Sequence, residues 1–212
     1  MQLGPYIEHT LLHPTVTKNA IKKLCRQAIQ YRFYGVCVPE CYVALAQNML
    51  TEHPIKVIAV VGFPLGNQST VAKVCEAKHA ILLGASEIDM VLNIGFLKSG
   101  LFDKISDEIA EIKKAIGSRS LKVILETCYL SDEEIELGCK LAIKGNADFV
   151  KTSTGFGTAG ATLEHIALMR RASKGLLKIK ASGGIKDRAT AIQFISAGAD
   201  RIGTSNGVQL VL

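Results

Sequence analysis

Eight short apolar runs, rich in β-branched residues, recur along the chain at a near-regular interval. They lie near residues 5–10, 34–39, 55–61, 86–92, 121–126, 147–152, 177–182 and 200–203. Most of the intervals between them carry helical periodicity. Ile21, Leu24, Cys25, Ala28 and Ile29 form one apolar stripe; Ile105, Ile109, Ile112, Ala115 and Ile116 form another. Ser131 followed by Glu134 reads as a capping box, and Asp187 as a helix N-cap. Gly35, Gly84, Gly145 and Gly198 stand where helices are expected to stop and the next strand to begin. Unbroken hydrophobicity in Val57-Ile-Ala-Val-Val and Lys122-Val-Ile-Leu argues for parallel strands covered on both faces. The alternation therefore predicts an α/β fold, a (β/α)8 TIM barrel. It is compact beside the typical size of about 250 residues. No linker, low-complexity tract or compositional shift divides the chain, so residues 1–212 read as one domain.

Composition narrows the function classes. At 48% hydrophobic the chain can bury a sizeable core. No apolar run approaches the roughly 20 residues needed to span a bilayer. The start, Met1-Gln-Leu-Gly-Pro-Tyr, lacks the basic and apolar regions of a signal peptide. The six cysteines are scattered without a CxxC pair, as expected for reduced thiols of a cytoplasmic protein. The net charge of +6 is interspersed with acids and has no aromatic-basic interleaving, which argues against nucleic-acid binding. A positive field suits a phosphorylated small molecule.

Chemistry in this fold sits at the C-terminal ends of the strands. Reading those ends yields Thr10, Cys37, Gly62, Asp89, Asn93, Glu126, Lys151, Lys180, Gly203 and Ser205. Lys151 and Lys180 each end an apolar run and precede a small Gly-containing loop. Burying an ammonium costs several kcal/mol unless it is paired or gives up its proton. Two such lysines on neighbouring strands point to one acting as an amine nucleophile while the other helps keep it neutral. Asp89 lies opposite Ile88 and Met90 in the strand alternation, hence inward, near the lysines. The same placement fits a purely structural ion pair.

Two Gly-rich segments, Ser182-Gly183-Gly184 and Gly203-Thr-Ser-Asn-Gly207, follow the seventh and eighth runs. Barrels bind phosphate there through backbone N–H groups. His9 and His13 are four apart but precede Pro14 and share no helix, so no zinc pair is expected; His79 and His165 read as helix-surface residues. Cys37 lacks a His or Asn partner at a matching strand end and reads as a pocket-lining thiol.

Together these residues resemble the deoxyribose-phosphate aldolase family, almost end to end. The resemblance rests on Tyr6-Ile-Glu-His-Thr-Leu-Leu, Val60-Val-Gly-Phe-Pro-Leu-Gly, Glu87-Ile-Asp-Met-Val-Leu-Asn-Ile-Gly and Leu121-Lys-Val-Ile-Leu-Glu-Thr. It continues through Asp148-Phe-Val-Lys-Thr-Ser-Thr-Gly-Phe-Gly, Lys180-Ala-Ser-Gly-Gly-Ile-Lys and Arg201-Ile-Gly-Thr-Ser. It implies reversible cleavage of 2-deoxy-D-ribose 5-phosphate to D-glyceraldehyde 3-phosphate and acetaldehyde, with no metal and no cofactor. Lys151 matches the Schiff-base lysine, Lys180 the second lysine that holds its neighbour's pKa down, and Asp89 the carboxylate of a proton relay. Gly155, Gly183, Gly184, Gly203 and Ser205 match the phosphate-binding stretch, and Thr10, Cys37 and Thr154 match pocket residues. The resemblance also implies a homodimer.

The required chemistry agrees. A Schiff base forms only from neutral amine, and an ordinary lysine is roughly one part in 2,500 neutral at pH 7. A pKa near 7.5 would make about a quarter of it neutral. The chain departs from the family pattern at Glu8, where Asp is common, at His13, at the Cys37–Cys41 turn, and at Asn206, where a second Ser is common. Asn206 is counted with the phosphate-binding residues. With Leu212 as last residue, no Tyr-ended tail is expected to assist proton exchange. A Schiff-base barrel aldolase for another phosphosugar, and a phosphosugar-binding barrel without turnover, remain alternatives. A metal-dependent aldolase is disfavoured by the missing His/Asp cluster.

Overall fold

The computed structural model describes residues 1–212 as a closed ring of parallel strands in sequence order. The strands are β1 (Ile7–Thr10), β2 (Gly35–Val38), β3 (Lys56–Val61), β4 (Glu87–Val91), β5 (Ser120–Ile124), β6 (Phe149–Lys151), β7 (Lys178–Ser182) and β8 (Arg201–Thr204), with β8 closing on β1. Parallel neighbours cannot be joined by a tight turn, so each return runs over the outside of the ring. The helices there are α1 (Lys18–Tyr31), α2 (Val43–Leu50), α3 (Thr70–Leu82), α4 (Ile94–Lys98), α5 (Phe102–Ile116), α6 (Asp132–Lys144), α7 (Leu163–Ser173), α8 (Arg188–Ser196) and α9 (Gly207–Val211). The predicted (β/α)8 barrel is thus the observed fold. The short α4 and α9 are additions that the alternation does not announce.

Local chemistry starts the helices where the sequence indicates. Ser131 and Glu134 form the capping box of α6, and Asp187 accepts the Thr190 amide at 2.9 Å to open α8. Thr17, Ser69 and Thr162 cap α1, α3 and α7 in the same way. Each such cap contributes about 0.5–2 kcal/mol. Gly35 is the strand start that the sequence indicates, and the helix stop lies three residues before it. Helix α1 ends on Arg32, which takes the left-handed conformation at φ 53°. The glycine is required by packing inside the ring. A Cβ there would lie 2.5 Å from the Ile58 side chain and 2.7 Å from the Lys56 carbonyl.

Strand alternation sends side chains to two different interiors. The outward set, including Val36, Ala59, Ile88, Met90, Val123, Val150 and Ile202, joins the buried stripes of the helices in one apolar cluster of 47 residues. The inward apolar set is small: Cys37, Ile58 and Val60 form a separate cluster. Among the other inward positions, Glu8, Glu87, Asp89, Lys122, Lys151 and Lys180 hold charge. Register places Asp89 beside Lys122, and Lys151 beside Lys180, as partners on adjacent strands. No helix is long and apolar enough to cross a membrane.

Candidate active site

The floor of the site is an ionised column inside the ring. Lys151 on β6 and Lys180 on β7 donate to the same oxygen, Asp89 Oδ2, at 2.9 and 2.6 Å. Lys180 also donates to Glu8 Oε2 on β1. A third lysine, Lys122 on β5, donates to Asp89 Oδ1 at 3.0 Å. It also contacts Glu87 Oε2 at 2.5 Å and lies 3.6 Å from Glu8 Oε1. Below it Tyr34 donates its hydroxyl to Glu87, and the Arg201 guanidinium stacks 3.7 Å over the Tyr34 ring. Lys122, Lys180, Glu8 and Asp89 are wholly buried, and Lys151 is 2% exposed. Room for the Lys180 stem comes from Gly203, where a Cβ would stand 2.9 Å from Lys180 Cε.

Charge pairing sets the ionisation of this column. Burial pushes the Asp89 carboxyl up, but Lys122, Lys151 and Lys180 together outweigh it and hold the group well below the usual carboxylate range. Burial pulls Lys180 down, while Asp89 and Glu8 overcome that and leave it above an ordinary lysine. Lys122 is raised for the same reason by Asp89, Glu8 and Glu87. With no substrate bound, Lys180 therefore stands beside Lys151 as a cation, and Asp89 as an anion.

Above the floor opens a cavity of about 490 Å³. Thr10 lines it from the end of β1; Lys151, Thr154 and Gly155 line it from β6 and its loop. Across from them stand Gly183, Gly184 and Lys186 after β7, and Gly203, Ser205 and Asn206 at the end of β8. The amides of Gly155, Gly183 and Gly184 donate to no group within the protein. The two loops are in close contact: the Ala161 amide lies 3.1 Å from both the Ser182 and Gly183 carbonyls, and a Cβ on Gly160 would sit 2.2 Å from Gly183 O. Glu126, itself left-handed at φ 56°, accepts the Thr154 amide at 3.1 Å and its hydroxyl, and Thr154 Oγ1 accepts the Phe156 amide at 3.0 Å. This chain of bonds shapes the loop next to Lys151. A second, more apolar cavity of about 520 Å³ adjoins the first and shares Leu12, His13 and Phe156 with it.

The structure thus gathers Thr10, Lys151, Thr154, Gly155, Gly183, Gly184, Gly203, Ser205 and Asn206 around one cavity, with Asp89 and Lys180 directly beneath Lys151. Cys37 departs from expectation. It is fully buried in the inner wall with Ile58 and Val60 and lines neither cavity; burial above all pushes its thiol up to about 11. Cys37 is in register with Thr10, which lines the cavity, but its side chain packs against Ile58 and Val60 instead. Two column residues, Glu87 and Lys122, escaped the sequence reading, and Glu8 entered it only as a departure from the family pattern. For Glu87 the signal was available, since it lies two positions from Asp89 on the same face; Lys122 stands between Ser120 and Ile124 on that face and carries no such mark. His9, by contrast, faces outward against Phe33 and hydrogen-bonds Gln27 at 3.0 Å. Nowhere do His, Cys, Asp or Glu side chains gather so as to hold a metal ion.

With this geometry established, the chain was compared with known proteins. Residues 5–209 match the family described as DeoC/LacD family aldolase. A deoxyribose-phosphate aldolase of Brevibacillus brevis is 49% identical over 211 residues, covering 100% of this chain and 96% of the relative. One from Caldanaerobacter subterraneus is 51% identical over 214 residues, covering 100% and 93%. Among solved structures, a tetrameric deoxyribose phosphate aldolase from Aeropyrum pernix superposes with a TM-score of 0.90 at 31% identity, covering 99% of this chain and 89% of that one.

Proposed function

The chain belongs to the DeoC/LacD aldolase family, and on that premise we propose that it reversibly cleaves 2-deoxy-D-ribose 5-phosphate to D-glyceraldehyde 3-phosphate and acetaldehyde through a Schiff base on Lys151. The observation that carries this reading is the single carboxylate oxygen shared by Lys151 and Lys180 at the foot of a polar cavity. A buried lysine set beside a second, charged lysine is the arrangement that favours a neutral, nucleophilic amine.

In this mechanism the free Lys151 amine attacks C1 of the open-chain sugar, and loss of water leaves an iminium. Asp89, paired with Lys180, takes the proton of the C3 hydroxyl through a bridging water. The C3–O bond becomes a carbonyl, the C2–C3 bond breaks, and its electron pair moves toward nitrogen to give an enamine. Glyceraldehyde 3-phosphate departs. The proton held at Asp89 is returned to C2, and water releases acetaldehyde from the regenerated iminium. Positioned proton transfer of this kind contributes about 10²–10⁴-fold to a rate.

Charge accounting in the column favours the iminium and the steps that follow it. With a cation at residue 151, Glu8, Glu87 and Asp89 are matched one for one by Lys122, Lys151 and Lys180. Iminium formation preserves that match. When the enamine forms, nitrogen loses its charge as Asp89 gains a proton, so the buried sum does not change. In a low-dielectric interior an unbalanced charge would cost several kcal/mol.

The phosphate end is assigned to the free amides of Gly183 and Gly184, with Gly155, Gly203, Ser205 and Asn206 around them and the Lys186 ammonium nearby. Thr10 and Thr154 contact the sugar chain. We assign the working form as a homodimer in the cytoplasm, where its free thiols stay reduced; a monomeric mass in sedimentation equilibrium would refute the dimer. The central test is to treat the protein with acetaldehyde and sodium borohydride and map the product by mass spectrometry. An ethyl group on Lys151, absent in Lys151→Ala, is expected; labelling that spares Lys151 would overturn the assignment.

A further inference from the structure

Lys122 touches neither cavity, yet it is wholly buried and lies against all three carboxylates of the column. It is the sole hydrogen-bond donor to Asp89 Oδ1, the oxygen turned away from both Lys151 and Lys180. It bridges that oxygen to Glu87, whose other oxygen is held by Tyr34. A carboxylate gripped on both oxygens cannot rotate about its χ2, so Lys122 fixes which oxygen faces the chemistry. From this we infer that Lys122 is a positioning residue of the aldolase reaction, and that it and Glu87 form a charge-matched base under Asp89 that keeps the relay carboxylate ionised. The inference rests on the Schiff-base reading above.

The groups facing Asp89 come from all sides of the ring. Glu8 stands on β1, Cys37 on β2, Glu87 on β4, Lys122 on β5, Lys151 on β6 and Lys180 on β7. Tyr34 and Arg201 close the column below, and β3 contributes only the apolar Ile58 and Val60. Removing Lys122 alone leaves one negative charge unmatched next to Asp89. Removing Glu87 alone leaves one positive charge unmatched. Removing both restores the match, although it releases Oδ1.

Three variants separate these cases: Lys122→Met, Glu87→Gln and the double variant. The measurement is the pH dependence of kcat for deoxyribose-phosphate cleavage, with KM and Tm recorded alongside. In K122M the acid limb should move to higher pH by about one to three pH units, the effect of losing one close opposite charge. In E87Q it should move to lower pH, and in the double variant it should return toward the wild-type position. KM should stay near wild type in all three, because Lys122 and Glu87 lie outside the cavity. Should K122M fail to fold, E87Q still decides the matter through the sign of its shift, since Gln keeps the contact with Tyr34. Single variants that melt earlier but keep wild-type limbs would reduce Lys122 to a structural lysine, and a double variant retaining the K122M displacement would overturn the charge match. Acetaldehyde trapping on the same samples keeps the two readings apart. No adduct on the wild type refutes the Schiff base itself; an adduct with unmoved limbs refutes only the role of Lys122.

Discussion

The barrel has two interiors that follow opposite rules. Between the strands and the helices lies the apolar cluster of 47 residues, in which almost every member is aliphatic. Inside the ring, where barrels usually stack Val, Ile and Leu in layers, three lysines and three carboxylates replace much of that filling. The outer layer stabilises the fold by removing apolar surface from water, at about 25 cal/mol per Å². The inner column has no such return. Ion pairs taken out of water do little better than break even, and apolar residues of the same volume are often neutral or stabilising by about 1–4 kcal/mol. A charged column that stability alone would not select is explained by chemistry. The outer layer makes the barrel, and the inner one makes it reactive.

The comparison is sharpest where activity and stability should part. Lys151→Ala should lower cleavage by about 10⁴-fold or more, as loss of a covalent nucleophile does. Its Tm should fall only moderately: Asp89 keeps Lys122 and Lys180 as partners, and the carboxylate left without its match can take up a proton. Cleavage assays and calorimetry on one preparation test both halves; a large fall in Tm would show that the inner column carries the fold. Ile109→Ala should do the reverse. Ile109 is fully buried in the outer cluster, so truncation should cost about 2–5 kcal/mol, a Tm loss on the order of 10 °C, with kcat retained below the transition. A variant that keeps its Tm but loses kcat would erase the division between the layers.

The smallest effect expected is in pH. Asp89 is depressed in the folded state, so its contribution is present above the unfolded value of about 3.9 and is lost as pH falls toward the folded one. Lys122 and Lys180 are raised, so theirs is present below about 10.4 and is lost as pH climbs through the folded values. His9 is depressed by burial, so acidification through about 6.5 brings the first modest decline. Tm should therefore hold a plateau from about pH 7 to 9 and drop on both sides. Stability rising steadily into alkali would show that the lysines are not held by their carboxylates.

Legibility followed the same division. The outer layer was open to the sequence, because a strand covered on both faces reads as a continuous apolar run and a helix shows its stripe every three to four residues. Caps were open too, since Ser131 with Glu134 and Asp187 with Thr190 act within one turn. Gly35 was legible as a strand start, but not the reason for it, because a helix stop and a packing demand inside the ring both select glycine. Cys37 was placed in the cavity because the neighbours a side chain packs against leave no mark on residue type.

What the chain determined by itself was the alternation of strand and helix, the closed-barrel class, and the strands carrying Asp89, Lys151 and Lys180. Local propensity and period carry all of these, and they are properties of neighbouring residues. Only the tertiary structure decided that Lys180 meets Glu8 across 172 positions, that Lys122 takes the far oxygen of Asp89, and that Lys151 and Lys180 share the near one. Those pairings depend on the stagger at which the strands close into a ring. That stagger is a property of the whole sheet, set by all its registers together, and no single segment encodes it.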